Sequence, residues 1–158
     1  SYLPPAPYRV AFFTIGHSTT LLLGVLADIN INAFLIDAII ALSIVYKGFD
    51  NLGGFKRFFG KQPNTKAAVL IFGLFHGFGL ASKLQEFKFD KQGLFTNLIG
   101  FNIGVEIGQF IALAVVLILI TIWRRQPSFM KFSTITNTTL MAAGFLLLGY
   151  QLTGYFTS

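Results

Sequence analysis

Cysteine is absent from this 158-residue chain. That excludes a disulfide scaffold, thiolate metal ligands and thiol chemistry together. Methionine occurs only twice, so a soft copper(I) site has no ligands to build on. Charge is scarce as well. Lys, Arg, Asp and Glu make up 11% of the residues and apolar ones 54%, where a soluble domain carries roughly 25% charge. A soluble domain of this size would have to cover its surface with far more polar side chains than these. Motifs of hydrolytic and nucleotide chemistry are missing too. There is no His-Glu-x-x-His, no phosphate-binding glycine loop, and no Ser, His and Asp in the order of a catalytic triad with an oxyanion loop. No enzymatic activity is expected.

What remains is a mean hydropathy of +0.68 with 19 Phe and 16 Gly, a mixture suited to lipid-facing helices that pack through small residues. The charges divide the chain. Val10 to Ala27 carries none, Ile29 to Tyr46 only Asp37, Ala67 to Ser82 none, Leu94 to Trp123 only Glu106, and Phe132 to Ser158 none. A spanning helix needs about 20 mostly apolar residues. The expected fold is therefore all-α: a polytopic transmembrane bundle forming one membrane domain over 1–158. Its spans are expected near 9–28, 32–50, 66–83, 95–123 and 134–156. Residues 110–123 (FIALAVVLILITIW) have no polar stripe, which a soluble amphipathic helix would need. The expected links are a proline-bearing start at 2–7, a short turn at 28–32, a longest link at 50–65 with Gly53, Gly54, Gly60 and Pro63, a mixed-charge link at 84–93, and a basic one around Arg124, Arg125 and Lys131.

Net charge is +6, and its distribution is informative. One end of the expected bundle receives Arg9, Lys47, Lys56, Arg57, Lys61, Lys66, Arg124, Arg125 and Lys131. The other receives Lys83, Lys88 and Lys91 beside Glu86 and Asp90. Basic loops stay in the cytoplasm, so residue 1 is expected inside and residue 158 outside. The lipid bilayer accounts for this basic balance, and no nucleic-acid partner is expected.

Polar groups within spans are costly and usually face a bundle interior, a cavity or one another. On the first helix Thr14, His17 and Thr20 share a face, with Ser18 adjacent. His17 reads either as a metal ligand or proton carrier, or as a neutral imidazole bonded across helices. The second helix carries Asp37 well inside its span, then Ser43, with Asn51 at the exit. An ionised Asp37 needs a partner: a bound cation, a His or hydroxyls, since no Lys or Arg lies mid-span elsewhere. The third helix sets His76 among Gly73, Gly77 and Gly79, a small-residue pattern that allows close helix approach. On the fourth, Asn102, Glu106 and Gln109 share one face, and Gly100, Gly104 and Gly108 form a smooth packing stripe beside it. Glu106 is the most telling of these residues, because its charge or its proton must be accommodated. Imidazole with carboxylate suits Ni, Co, Zn, Fe or Mn, and ligand type does not choose among them.

Four segments carry a resemblance: FTIGHSTTL (13–21), DAIIALSIVYKGFDN (37–51), FGLFHGFGLAS (72–82) and FNIGVEIGQ (101–109). In this order they resemble the HupE/UreJ family of bacterial integral membrane proteins, associated with hydrogenase and urease gene clusters. Characterised members of that family are regarded as nickel or cobalt permeases. The resemblance implies that His17, Asp37, His76 and Glu106 line an ion path, with Thr14, Ser18, Thr20, Ser43, Asn51, Asn102 and Gln109 in support. It also implies a bacterial inner-membrane location and one further helix upstream, bearing a His and an Asp-His pair, which would make six spans. The expected function is movement of Ni²⁺ or Co²⁺ into the cytoplasm, with the metal as substrate and no tightly bound cofactor. The alternative is a non-transport accessory subunit that docks on a larger membrane complex through its Gly-rich helix faces; the partners expected besides lipid are another membrane protein or further copies of the chain.

Overall fold

The structure is a computed structural model describing residues 6–86 and 93–158. The expected proline-bearing start at 2–7 and mixed-charge link at 84–93, with Lys88, Asp90 and Lys91, fall largely outside the described residues. Within them the chain is all-helical, with α1 (Ala6–Leu26), α2 (Ala33–Asn51), α3 (Gly54–Phe59), α4 (Thr65–Glu86), α5 (Leu94–Trp123) and α6 (Phe129–Thr157).

The helix ends follow from local chemistry. Asn32 caps α2, its side-chain oxygen accepting from the Phe34 and Leu35 amides at 2.9 and 3.3 Å. Asn64 does the same for α4, accepting from Lys66 and Ala67 at 3.1 and 3.3 Å just after Pro63. Between them lies α3, a short helix in the stretch expected to be only a link. Gly53 and Gly60 bracket it at φ +74° and +68°, a conformation that favours glycine. Its aromatic rings hold it in place: Phe55 lies 4.8 Å from both Tyr46 and Phe49, centroid to centroid. The last helix starts at Phe129 rather than near 134. A single lysine, Lys131, does not end a helix, because its charge sits at the end of a long flexible side chain.

By length and composition α4, α5 and α6 can each cross a membrane. The apolar stretch Val10–Leu26 of α1 is shorter, about 26 Å at 1.5 Å per residue, and α2 carries Asp37, Lys47 and Asp50. Both nevertheless lie alongside the long helices. In space the order is α5, α1, α4, α2, α6. α1 and α4 are parallel and pack backbone to backbone. A Cβ at Gly16 would come within 2.7 Å of the Leu70 carbonyl oxygen, one at Gly73 would strike the Phe13 carbonyl, and one at Gly77 would strike the His17 carbonyl and the Thr20 hydroxyl. α2 and α6 run antiparallel, with Gly48 against Met141 and Gly144 against Val45.

A small apolar core forms where α1, α4 and α5 meet: Leu21, Val25, Ala81, Leu84 and Leu98. Beyond it α5 is almost bare, with Ile111, Ile118 and Leu119 each about 60% exposed. Such a surface belongs in lipid or against another protein. The stripe of Gly100, Gly104 and Gly108, expected to pack against a helix, meets no atom within 4 Å among the described residues. α5 touches α1 through its other face, the one carrying Leu98, Asn102 and Glu106.

Candidate functional site

The expected ion-path residues fall into three places. Among the described residues no three His, Asp or Glu side chains form a ready-made metal cluster.

The first place is the α1–α5 contact. Ser18 donates to Glu106 Oε1 at 2.5 Å, and Asn102 donates its side-chain Nδ2 to the same oxygen at 3.3 Å. The Ser18 bond joins positions 88 residues apart, and the two donors hold one carboxylate oxygen in a charge-assisted arrangement. Asn102 is 8% exposed, and among the described residues its Oδ1 has no hydrogen-bond partner. His17 is 5% exposed, and its Nδ1 likewise has no partner among the described residues. Buried polar atoms left unpaired are expensive, and native proteins usually satisfy them. Gln109 sits half-buried on α5, just beyond Glu106.

The second place surrounds His76. Phe13 stacks on His17 with ring centroids 6.0 Å apart, and meets His76 edge-on at 5.2 Å. One aromatic ring thus touches both imidazoles. His76 Nδ1 lies 2.7 Å from the Phe72 carbonyl oxygen. A carbonyl only accepts, so Nδ1 carries the proton. In the neutral ring that leaves the lone pair on Nε2, the form in which imidazole binds metal. His76 lines a cavity of about 400 Å³ shared with Phe13, Ser43, Lys47, Asn51 and Asn137. Ser43 gives its hydroxyl to the Ile40 carbonyl at 2.7 Å. Asn51 donates to Asn137 Oδ1 at 2.8 Å and closes the α2–α6 side.

The third place is Asp37. It was expected well inside its span, but α2 begins at Ala33, so Asp37 sits one turn in. Its partner is Lys83 from the last turn of α4, at 3.6 Å. A search for mid-span cations passes over Lys83, because the lysine comes from the end of a neighbouring helix. Thr20 also differs from expectation. Its hydroxyl lies 2.9 Å from the Gly16 carbonyl and 2.7 Å from the Leu74 carbonyl, tying α1 to α4 rather than facing a path. Thr14 is half-buried on α1.

Sequence reasoning passed over several residues around these sites. Asn137, in the polar run Thr134–Thr139 of an otherwise apolar helix, lines the His76 cavity. Phe13 bridges the two imidazoles, and nothing distinguishes it among 19 phenylalanines. Asp50, Lys47 and Gln62 form a polar knot at the end of α2, in which only the Asp50 side chain is largely covered. Their positions in the sequence suggest only a loop edge.

The fold and this cavity define a multi-pass helical membrane protein with a histidine on the wall of an opening between its helices. The chain belongs to the HupE/UreJ family: residues 5–158 match the family model described as HupE / UreJ protein. That family is associated with nickel and cobalt transport. No curated protein and no solved structure matches the chain.

Proposed function

We propose that this protein is a permease for a divalent transition-metal ion, Ni²⁺ or Co²⁺, that moves the ion into the cytoplasm of a bacterium across its inner membrane. The observation that carries the reading is His76. Its proton is committed to the Phe72 carbonyl, so the metal-binding nitrogen is left over in a cavity that also offers amide and hydroxyl oxygens. In this reading His76 is the central ligand. Beside it, across Phe13, the unpartnered nitrogen of His17 and the carboxylate of Glu106 supply a second imidazole and the negative charge a dication needs. Asp37 attracts the ion at the far end once Lys83 releases it. Separate stations suit transport, because a site that binds through many ligands at once releases its ion slowly. The chain has no nucleotide motif, so the membrane potential, proton exchange or a partner would drive the flux.

The test is Ni²⁺ and Co²⁺ uptake into vesicles containing the protein, with His76→Ala beside wild type. Uptake should fall at least tenfold while the variant still inserts and folds. Uptake at the wild-type rate would overturn the reading. One observation supports a non-transport accessory subunit instead, namely the uncovered stripe of Gly100, Gly104 and Gly108. Under that reading His76→Ala leaves the protein's role intact, and a stoichiometric membrane partner copurifies.

A further inference from the structure

Asp50 stands in an unfavourable place. It lies in the last turn of α2, where the helix dipole opposes negative charge, yet its side chain is only 7% exposed. Two different groups hold its two oxygens. Lys47 Nζ lies 2.7 Å from Oδ2, and Gln62, reaching back from the link after α3, donates to Oδ1 at 2.5 Å. The position is also a junction. The cavity holding His76 and a second one of about 560 Å³ share Lys47, Asn51 and Asn137 on their walls, and Asp50 lines the second. The Asn51–Asn137 bond lies where the two meet. The second cavity is flanked by Arg124, at the lysine- and arginine-rich end of the bundle.

We propose that Asp50 is a second cation station, between the His76 cavity and the basic end of the bundle, and that Lys47 is its tethered counter-ion. This rests on the permease reading and adds to it a residue that reading does not use. When no metal is present, the ammonium of Lys47 neutralises the buried carboxylate. A dication leaving His76 displaces it, and Asn51, Asn137 and Gln62, which line the same cavity as Asp50, supply side-chain oxygens for a hard oxygen-rich shell. Lys47 is 42% exposed and can swing out on its flexible stem. Its return restores the ion pair and expels the metal toward the basic end. A cationic side chain beside the exit thus keeps the station weak, as turnover requires.

The experiment is a Ni²⁺ titration of the intact purified protein, with bound metal counted by elemental analysis. Lys47→Met removes the competitor. It should gain one Ni²⁺ per chain over wild type, or tighten binding by at least about tenfold, and the double variant Lys47→Met/Asp50→Asn should lose that gain. Lys47→Gln provides the same test with a polar side chain, should the methionine variant fold poorly. An unchanged Ni²⁺ count and affinity in both lysine variants overturns the proposal, as does a gain that survives Asp50→Asn. The gain should persist in Lys47→Met/His76→Ala. This separates the two ideas: wild-type uptake in His76→Ala overturns the permease reading, whereas the absence of an Asp50-dependent gain in Ni²⁺ binding overturns only the second station.

Discussion

Alanine at Gly77 and alanine at Gly104 should have opposite effects, although both glycines sit in small-residue stripes. A Cβ at Gly77 would lie inside van der Waals contact with the His17 carbonyl and the Thr20 hydroxyl. The carbonyl belongs to a helix backbone and cannot rotate away, so α1 and α4 must separate. Overpacking of this kind costs ~1–3 kcal/mol, and a backbone clash belongs at the upper end. The better helix propensity of alanine returns about 1 kcal/mol. The net loss is then about 2 kcal/mol, or roughly 4–8 °C in Tm for a chain of this size. At Gly104 nothing among the described residues lies within 4 Å, so only the propensity gain remains, worth a rise of about 2–4 °C. The assay is thermal unfolding of both purified variants in the same detergent, with size-exclusion chromatography alongside. Equal melting temperatures for Gly77→Ala and wild type would refute the backbone-to-backbone packing of α1 on α4. A drop for Gly104→Ala with loss of self-association would show that the bare stripe is covered by a second chain.

Glu106→Gln keeps the shape that receives Ser18 and Asn102 but removes the charge. Metal uptake should fall at least tenfold while detergent stability changes by no more than about 1 kcal/mol, and parental uptake would remove Glu106 from the ion path. Lys83→Met breaks the Asp37 pair, but Lys83 is 57% exposed, and exposed pairs contribute only ~0–1 kcal/mol. Its Tm should move by no more than a few degrees, whereas a fall beyond about 8 °C would mean the pair is a buried structural tie. Asn137→Leu removes the acceptor for Asn51. It should leave uptake detectable but alter its rate, and unchanged rates in vesicles would show that the α2–α6 amide contact does not lie on the route.

The spacing of charges by itself determined the helical class and most of the helices. A run of 30 residues broken only by Glu106 cannot fold as anything but a long apolar helix, and α5 occupies Leu94–Trp123. The motif residues also marked the chain as a HupE/UreJ member without any structure. Glycine at 73 and 77 signalled close approach, because only a missing Cβ permits it, and the structure adds which backbone approaches. Sequence could not show that the similar stripe at 100, 104 and 108 lies bare. Periodicity tells which residues share a face, not what that face meets.

Partnership was decided only by the tertiary structure. Glu106 is hydrogen-bonded by a serine 88 positions away, and Asp37 finds its lysine at the far end of α4. His17 and His76 are drawn to one phenylalanine because α1 and α4 run parallel in backbone contact. Asp50, which reads in sequence as a charge at the edge of a loop, becomes a paired group on the wall of a cavity only when Lys47 and Gln62 reach its two oxygens. A side chain's intrinsic chemistry is written in its identity, but its charge, its exposed lone pair and its neighbours depend on distances that a one-dimensional pattern does not contain.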